Sequence, residues 1–318
     1  MAGSTSPQGR LRLSAPVATA LAQGAPVVAL ETAILTHGLP RPDNLETALA
    51  MEQAVRRAGA VPATIGLVDG SARIGLEPAE LERLAFDERA RKCATRDLAP
   101  ALAARVPAGT TVSATLYLAV RAGIRILATG GIGGVHRGGE TSLDISADLH
   151  ELRRSPASVV CSGIKAILDL PRTMEVLESL SATVVGFRTD RLPAFYVTRS
   201  EIPVPRIDDL AALAELHRTQ EALGWPGSVV IAQPPPAELA LDAATLEALL
   251  DRCRRRAARA GISGAAETPC LLACLAELSD GRTVRLNHAL AVANARLAGE
   301  LAVAVHGHRS CIPSVMLP

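Results

Sequence analysis

Short apolar segments alternate along most of this 318-residue chain with longer segments of helical periodicity. The apolar run Ala25–Leu30, which is followed by Glu31, predicts a buried strand with a carboxylate at its end. Thr183–Phe187 is a later segment of this kind, and it follows the helical stretch Thr173–Leu180. Strands and helices that alternate in this way favour a parallel sheet with helices on both faces. We therefore expect a three-layer α/β/α fold around a central, largely parallel or mixed sheet.

The chain carries no obvious internal boundary. No linker rich in proline, glycine or serine interrupts it, and no internal repeat is visible. The sequence therefore predicts a single α/β domain over residues 8–305, with residues 1–7 and 306–318 frayed at its ends. Asp69-Gly70 suits a tight turn and predicts a hairpin that joins Val61–Val68 to the next strand.

Composition excludes several classes of protein. The 33 Lys and Arg residues nearly balance the 32 Asp and Glu residues, which argues against a protein that binds nucleic acid or a membrane through a basic face. Aromatic residues make up 2% of the chain, too few for a platform that stacks bases. No apolar run approaches the roughly 20 residues of a membrane span, and no signal peptide is apparent. We expect a cytoplasmic protein.

Lysine is rare in this sequence. Lys92 and Lys165 are the only lysines among the 33 basic residues, and all the others are arginines. Arginine can replace lysine wherever a positive charge is enough, but a guanidinium does not deprotonate in proteins. A lysine that persists against such a bias is therefore either chance or a residue whose neutral amine is used.

The six cysteines suggest neither a metal site nor a disulfide framework. They are Cys93, Cys161, Cys253, Cys270, Cys274 and Cys311. None of them forms a Cys-x-x-Cys pair, and two lie four residues apart in an apolar helical segment. The pattern favours buried free thiols in a reducing compartment.

A glycine-rich loop, Gly130–Gly139, follows the predicted strand Ile124–Ala128. Its glycines allow backbone N–H groups to approach an anion, and Arg137 could bind phosphate oxygens with its fork of donors. The spacing matches neither the dinucleotide-binding fingerprint nor the Walker pattern. Two interpretations remain open, a loop that binds an anionic ligand and a structural glycine corner.

Charged side chains follow this loop. Asp144 and Asp148 lie four residues apart in a predicted helix, Asp144–Arg154, where they could hold a divalent cation through water or simply cap the helix. Lys165 comes just after the predicted strand Ser158–Cys161, in an apolar segment predicted as a short helix over residues 164–168. An amine that is partly desolvated there could act as a Schiff-base nucleophile, although lysines more commonly extend to the surface.

Four segments, taken in order along the chain, resemble the pseudouridine-5′-phosphate glycosidase family. They are Val27–Glu31 with His37-Gly38, Thr129–Arg137, Asp144–Leu149 and Gly163–Asp169. The likeness covers roughly residues 15 to 304 with few apparent gaps. It implies an enzyme that reversibly cleaves the C–C glycosidic bond of pseudouridine 5′-phosphate and yields uracil and ribose 5-phosphate.

The resemblance also implies residue roles. Lys165 matches the nucleophile that holds C1′ of ring-opened ribose as an imine, and Glu31 matches the proton donor. Asp144 matches a position associated with a divalent metal, usually manganese, held largely through water. Thr129 and Arg137 would hold the phosphate. The complete set of positions expected to bind substrate is Lys92, Val112, Thr129, His136, Arg137, Ser146, Ala147, Asp148 and Asn287, the last of which would read the base edge.

The sequence departs from the family pattern at three places. Glu31-Thr32-Ala33 stands where Glu-Ser-Thr is usual, Gln233–Pro236 replaces Asn-Pro-x-Pro, and residues 264–269 lack the usual Gly-Lys or Gly-Gln before Thr-Pro. These changes could alter the pocket for the aglycone. Some relatives instead join ribose 5-phosphate to a polyketide, and this C-glycosynthase activity is the alternative.

Two other functions are less consistent with the residues. A catalytically silent sugar-phosphate sensor would be expected to lose Glu31, Asp144 or Lys165, and all three are present. A metal-free class I aldolase also uses a lysine imine, but it would not need the Asp144 cluster or a base-reading Asn287. The resemblance further implies a homotrimer.

Overall fold

The computed structural model describes residues 10–262 and 267–307. The strands in this part of the chain are β1 (Leu11–Leu13), β2 (Val27–Leu30), β3 (Val61–Val68), β4 (Ser71–Ile74), β5 (Arg91–Cys93), β6 (Ala108–Thr110), β7 (Ile126–Ala128), β8 (Ser158–Cys161), β9 (Thr183–Phe187), β10 (Arg206–Ile207) and β11 (Val229–Ala232).

Helices separate most of these strands. They are α1 (Ala15–Ala22), α2 (Asp43–Arg57), α3 (Pro78–Phe86), α4 (Leu98–Ala103), α5 (Val112–Arg121), α6 (Gly139–Ser142), α7 (Ala147–Arg154), α8 (Leu170–Ser179), α9 (Leu210–Ala222), α10 (Ala243–Arg259), α11 (Glu267–Leu278) and α12 (Arg282–Gly307). A π-helical turn, Ile34–Gly38, and a 3₁₀ turn, Thr95–Asp97, complete the regular structure of the described residues.

One mixed, mostly parallel sheet organises the molecule. Its order is β1-β4-β3-β2-β7-β8-β11-β9-β10, and β6 joins it by pairing with β3 and β5. Only the β3–β4 hairpin and the β3–β6 pair are antiparallel among the described ladders. The central strands β2, β7, β8 and β11 are parallel and buried along their whole length, as expected for strands that helices cover on both faces. The α/β class and the sheet predicted from the sequence are confirmed.

Two groups of helices pack on the sheet. The long helix α12 lies against β2, β7 and β8 and also contacts α2 and α9. Helix α5 packs on β2 and β3 and contacts α7. The larger of two hydrophobic clusters among the described residues extends through the sheet and both groups of helices, from Val17 to Val305. The carboxyl ends of β2, β7, β8 and β11 consequently lie side by side, the usual location of a ligand site in such sheets.

The helix expected over Asp144–Arg154 begins later than predicted, at Ala147. Ser146 has extended backbone geometry and caps the helix, because its hydroxyl accepts a hydrogen bond from the Asp148 N–H at 3.2 Å. Asp144 therefore lies before the helix, and the two aspartates do not share a helical face. Their spacing in sequence had suggested otherwise because no sequence signal fixes which residue is the cap.

The short helix expected over residues 164–168 is absent. Ile164 instead forms a bridge with Ile132 of the glycine-rich loop, and Asp169 forms one with Val135. The backbone N–H of Lys165 donates to the Ile132 carbonyl at 3.1 Å. Tertiary pairing with the loop has thus replaced local helical bonds, which an apolar run of this length cannot reveal.

The prediction that all cysteines are free is wrong for two of them. Cys253 of α10 and Cys274 of α11 form a disulfide across the pair of helices, with their Cα atoms 5.6 Å apart. The two cysteines are 21 positions apart in sequence, and the packing of α10 against α11 that brings them together is not signalled by their spacing. Cys93 and Cys161 are buried thiols and Cys270 is a half-buried one, whereas Cys311 lies outside the described residues.

The ends of the domain also differ in part from expectation. Helix α12 continues through His306 to Gly307, where a frayed segment was predicted to begin at residue 306. The predicted frayed residues 1–7 and 308–318 lie outside the described residues. None of the helices between residues 10 and 307, as far as they are described, is both long and apolar enough to cross a membrane.

Candidate active site

Glu31 follows β2 and is almost completely buried, with 6% of its surface exposed. The hydroxyl of Thr129, which follows the adjacent strand β7, donates a short hydrogen bond to its carboxylate. Burial raises the pKa of Glu31, and the positive charge of Lys165 and the Thr129 hydrogen bond only partly offset that effect. The result is a carboxyl group that keeps its proton to higher pH than a solvated glutamate does.

Lys165 follows β8, two strands away from Glu31 in the sheet. Its side chain is half-buried, and it lines the same cavity as Glu31 and Lys92. The preceding Gly163 has a left-handed backbone with φ of 80°, and a side chain there would collide with the Pro193 carbonyl. This glycine lets the chain turn sharply after the strand, which brings the lysine back over the end of the sheet.

Lys92 reaches the same place from a different part of the fold. It lies on β5, which joins the sheet through β6. Burial is the main cause that lowers the pKa of Lys92, and the nearby charge of Lys165 lowers it further. Asp148, Glu31 and Asp144 act in the opposite direction. The two lysines of the chain are therefore close enough to influence each other electrostatically.

Asp148 is a fixed negative charge beside these groups. One carboxylate oxygen accepts the N–H of Ser113, and the other accepts the N–H of Gly133, both at 2.9 Å. Its residue surface is 4% exposed, yet it lines the cavity that also contains both lysines. Asp148 thus holds the start of α5 and the glycine-rich loop together while it provides a counter-charge to the lysines.

Five of the ten backbone N–H groups in the glycine-rich loop Gly130–Gly139 donate to partners within the described part of the protein. The N–H groups of Ile132, Val135 and His136 donate to the Gly163 carbonyl, the Thr173 hydroxyl and the Asp144 carbonyl, respectively. A side chain at Gly133 would collide with Ser146, and one at Gly134 would collide with Thr173. Close packing therefore accounts for Gly133 and Gly134, whereas anion binding by the loop stays a prediction.

Two residues expected at the phosphate have other partners. Thr129 is fully buried behind Glu31, to which it donates its hydrogen bond. Arg137 forms a bidentate ion pair with Glu247, at 2.8 and 3.0 Å, on the half-exposed outer side of the loop. Both placements differ from the expectation, because the loop folds inward on one side and presents its arginine to α10 on the other.

The cavity has two compartments. We call one the polar compartment, which encloses about 660 Å³ and is lined by Arg96, Asp97, His136, Asp144, Asp148 and His150. We call the other the apolar compartment, which is lined by Ile34, Gly130, Gly131, Phe195, Leu272 and Asn287. The residues that line both are Glu31, Ala33, His37, Lys92, Lys165, Thr268 and Pro269.

Most of the expected substrate positions line this cavity. Ser146 and Ala147 line the polar compartment together with His136. Val112 does not, because its side chain is completely buried at the start of α5, and the preceding Thr111 lines the cavity instead. Arg137 lines neither compartment.

A possible metal-binding group lies at the polar end. His136, Asp144 and Glu267 each offer a ligand atom, and these atoms lie within 4.8 Å of one another. The His136 Nδ1 atom is 3.5 Å from a Glu267 carboxylate oxygen. Glu267 begins α11, so sequence reasoning could not connect it to residues more than 120 positions earlier. Its position just before Thr268-Pro269, where the chain departs from the family pattern, was the one available signal.

Two asparagines of α12 face the end of the sheet. Asn287 lies in the apolar compartment, and its buried Oδ1 atom has no hydrogen-bond partner among the described residues. Asn294 is two helical turns further along and donates from Nδ2 to the Thr129 carbonyl at 2.9 Å and to the Ser162 hydroxyl at 3.1 Å. Asn294 was missed by sequence reasoning, although its seven-residue spacing from Asn287 in an apolar helix could have indicated it.

A family model and curated proteins match this chain over nearly its whole length. The family model described as "Indigoidine synthase A like protein" matches residues 16–304. A curated pseudouridine-5′-phosphate glycosidase of Methylobacterium nodulans is 50% identical over 308 residues, which cover 96% of this chain and 91% of that protein. Another of the same name, from Dinoroseobacter shibae, is 49% identical over 293 residues, which cover 92% of this chain and 96% of that protein.

Solved structures agree with these relatives. The prealnumycin C-glycosynthase AlnA in complex with ribulose 5-phosphate is 40% identical, with a TM-score of 0.87 over 94% of this chain and 98% of that one. An indigoidine synthase A-like protein of Thermotoga maritima is 35% identical, with a TM-score of 0.85 over 93% and 96% of the two chains. The chain therefore belongs to the indigoidine synthase A like family and is related to pseudouridine-5′-phosphate glycosidases over nearly its whole length.

Proposed function

We propose that this protein is a C-glycosidase that reversibly converts pseudouridine 5′-phosphate and water to uracil and ribose 5-phosphate. The observation that carries the proposal is the cavity in which a buried glutamic acid, Glu31, and an amine, Lys165, line the boundary between a polar and an apolar compartment. The curated relatives of that name, about half identical over nearly the full chain, support the choice of substrate.

The chemistry requires a group that accepts the electron pair of the breaking C–C bond and a group that stabilises the positive charge left at C1′. When the C–C bond of a C-glycoside breaks directly, the departing base leaves as a carbanion, which is too unstable for ordinary hydrolysis. Addition of Lys165 to C1′ of the ring-opened ribose removes this obstacle. Once the aglycone carbon is protonated, the electron pair of the C–C bond returns to the base ring, and the lysine nitrogen supplies the pair that forms the C=N bond of the imine. Water then hydrolyses the imine and releases ribose 5-phosphate.

Glu31 is suited to supply the proton that the aglycone carbon needs. Burial raises the pKa of Glu31, so the acid form persists where a solvated glutamate would be ionised. In the synthetic direction the same carboxylate accepts the proton, as microscopic reversibility requires. The Thr129 hydroxyl holds the carboxyl group in place for both directions.

The family resemblance implies a manganese ion, and the residues present fit a divalent cation. Two carboxylates and one imidazole, from Asp144, Glu267 and His136, converge at the polar end. Carboxylate oxygens are ligands that Mn²⁺ prefers. When bound there, the cation would supply positive charge that neutralises and orients the oxygens of the sugar phosphate. Lys92 would contribute a second positive charge from the protein itself.

Joining ribose 5-phosphate to a polyketide is the second candidate function. The likeness to the prealnumycin C-glycosynthase AlnA favours it, since 98% of that chain is covered at a TM-score of 0.87. The same lysine and glutamate would serve in that direction. The catalytic pair therefore does not distinguish the degradative activity from the synthetic one. They differ in the aglycone that the apolar compartment accepts and in the equilibrium constant between the C-glycoside and its two products.

The test is direct. Purified protein with manganese and pseudouridine 5′-phosphate is expected to release uracil and ribose 5-phosphate in equal amounts, as measured by chromatography. Lys165→Arg is the matched control, because it keeps the charge but has no amine that can deprotonate. If the wild type releases no uracil while it attaches ribose 5-phosphate to a polyketide aglycone, the second candidate is correct.

The assembly is proposed on the family resemblance, and the location on the composition of the chain. We expect a homotrimer in the cytoplasm. Analytical ultracentrifugation of the purified protein would give a mass near three times 33.0 kDa if the assembly is correct. A monomer or dimer at micromolar concentration would contradict it.

A further inference from the structure

His37 lies where the compartments meet and has no part in the reaction described so far. It belongs to the π-helical turn Ile34–Gly38, a rare geometry that is frequent at functional sites. Its half-buried side chain lines the polar compartment, the apolar compartment and an adjoining groove that also contains Tyr196 and Leu272. With Asn287, it is one of the few polar side chains at the apolar end.

The hydrogen bonds of Thr36 fix the protonation pattern of the His37 ring. The Thr36 hydroxyl donates to the Thr32 carbonyl at 3.2 Å and lies 2.7 Å from His37 Nδ1. A hydroxyl has one hydrogen and a carbonyl can only accept, so Thr36 Oγ1 must accept the bond from Nδ1–H. The lone pair of the neutral ring is therefore on Nε2, the nitrogen on the side away from Thr36.

The geometry that holds this arrangement is tight. Gly109 of β6 lies against the Thr36 hydroxyl and the Thr32 carbonyl that accepts its hydrogen bond. A side chain at this position would collide with both groups. Among the described residues, no hydrogen bond engages Nε2 of His37. Burial, and next the charge of Lys92, lower the pKa of His37, which keeps the ring neutral. Nε2 is thus a free acceptor beside the cavity.

Opening the ribose ring requires a base at the aglycone. The ring nitrogen N1 of pseudouridine bears a proton and is conjugated through C6 and C5 to the glycosidic carbon C1′. Loss of that proton forms N1=C6, shifts the C5=C6 pair to C5=C1′ and breaks the C1′–O4′ bond. Glu31 is reserved for the later protonation of the aglycone carbon, so a second group must accept the N1 proton.

We propose that His37 is this base, with Nε2 accepting the N1 proton of the aglycone as the ribose ring opens. The proposal rests on the proposed glycosidase function and adds a second proton-transfer residue to it. O4′ takes up a proton from solvent and becomes a hydroxyl. Lys165 then adds to C1′ as a neutral amine, the electrons return to C5=C6, and His37 gives its proton back to N1. The lysine nitrogen releases one proton to solvent, which balances the proton taken up by O4′, so His37 ends the step unchanged.

The experiment combines a variant with a modified substrate. His37→Gln keeps a polar side chain of similar reach but is not basic. We expect it to release uracil from pseudouridine 5′-phosphate about 10²-fold more slowly than the wild type does, the usual effect of losing general-base help. With N1-methylpseudouridine 5′-phosphate, which lacks the transferable proton, we expect the wild type to be equally slow in release of its methylated base and His37→Gln to cause no further loss.

Imine formation provides the control. Ribose 5-phosphate has no aglycone, so borohydride should trap it on Lys165 equally well in the wild type and in His37→Gln. Thr36→Val removes the hydroxyl that fixes the ring and should reduce uracil release, whereas Thr36→Ser should restore most of it. The serine rescue also separates loss of the hydroxyl from a general folding defect.

The outcomes are distinct. Normal uracil release by His37→Gln, or an equal loss on both substrates, would overturn the role of His37 and leave the proposed function standing. A variant that no longer traps ribose 5-phosphate on Lys165 would also contradict it, since His37 would then serve the sugar rather than the aglycone. A wild type that releases no uracil would instead overturn the proposed function itself.

Discussion

The two compartments of the cavity differ in how their polar groups are held. In the polar compartment charges are balanced by other charges, and Asp148 is fixed through two backbone N–H groups. In the apolar compartment polar atoms are few, and the buried Oδ1 of Asn287 has no hydrogen-bond partner among the described residues. A charged ligand group suits the first and a flat, mostly apolar ring with a few polar edge atoms suits the second.

This difference indicates which part of a substrate each compartment recognises. A sugar phosphate is common to the cleavage and synthetic reactions, whereas the aglycone differs between them. Glu31 and Lys165 line both compartments and therefore serve either reaction. Changes at the boundary should abolish chemistry, changes at the polar end should weaken sugar and metal binding, and changes outside the cavity should do little.

The largest effect is expected at the boundary lysine. Lys165→Arg should reduce uracil release by about 10⁴-fold or more, the scale seen when a covalent nucleophile is removed. Borohydride with ribose 5-phosphate should give an adduct on Lys165 in the wild type and none in the variant, as measured by mass spectrometry. Lys92→Arg is the matched control and should still be trapped on Lys165. An adduct on Lys92 in the wild type would contradict the assignment.

The boundary carboxyl group should give the next effect. Glu31→Gln keeps the shape but cannot transfer a proton, so uracil release should fall by at least about 10²-fold while the Lys165 imine still forms. Because cleavage needs the protonated form, the wild-type rate should decline as pH rises through the raised pKa of Glu31. Normal turnover in the variant would mean that the proton comes from another group.

Thr129 offers a finer test of the same residue. Its hydrogen bond lowers the pKa of Glu31, so Thr129→Val should move the alkaline decline of the cleavage rate to higher pH. Thr129→Ser keeps a hydroxyl and should leave the decline near its wild-type position. A shift to lower pH in the valine variant would contradict the role of the bond.

A moderate effect is expected at the polar end. EDTA should remove the activity of the wild type and manganese should restore it, and Asp144→Ala should raise the manganese concentration that this restoration needs. Glu267→Gln should weaken Mn²⁺ binding by about tenfold or more, as measured by titration calorimetry. Glu277→Gln on the same helix is the control, because Glu277 pairs with Arg256 far from the group. Full wild-type activity after exhaustive chelation would mean that the metal assignment is wrong.

Much of the fold could be predicted because its signals are local. The strand Thr183–Phe187 and most of helix α8, which was predicted over Thr173–Leu180, follow from apolar runs and helical periodicity, and the Asp69-Gly70 turn follows from its residue types. The short strands β1, β5, β6 and β10 were missed. They are two or three residues long and are formed by pairing with distant strands, which leaves little pattern in the sequence.

Site residues could be predicted where no other residue type can do the same chemistry. They could not be predicted where only the packing of the folded chain determines which side chains come together. Lys165 and Lys92 were indicated by their persistence in an arginine-rich chain, and both line the cavity. Glu267 was not indicated, because its neighbours His136 and Asp144 are brought to it only by the folded chain. Whether an arginine in a glycine-rich loop faces a ligand or another helix is likewise decided by tertiary structure.

Arg137 should therefore show the smallest effect. Its guanidinium is held by Glu247 in a half-exposed ion pair outside the cavity, although the sequence suggested that it binds phosphate. Arg137→Ala should change the KM for pseudouridine 5′-phosphate by less than about threefold and lower the free energy of unfolding by less than about 1 kcal/mol, the range for solvent-screened pairs. Glu247→Gln should match it in KM, since it breaks the same pair, but it also loses the contact with Arg254 at 3.0 Å and should therefore cost slightly more stability. A KM at least tenfold higher for Arg137→Ala alone would show that the arginine leaves Glu247 to hold the phosphate.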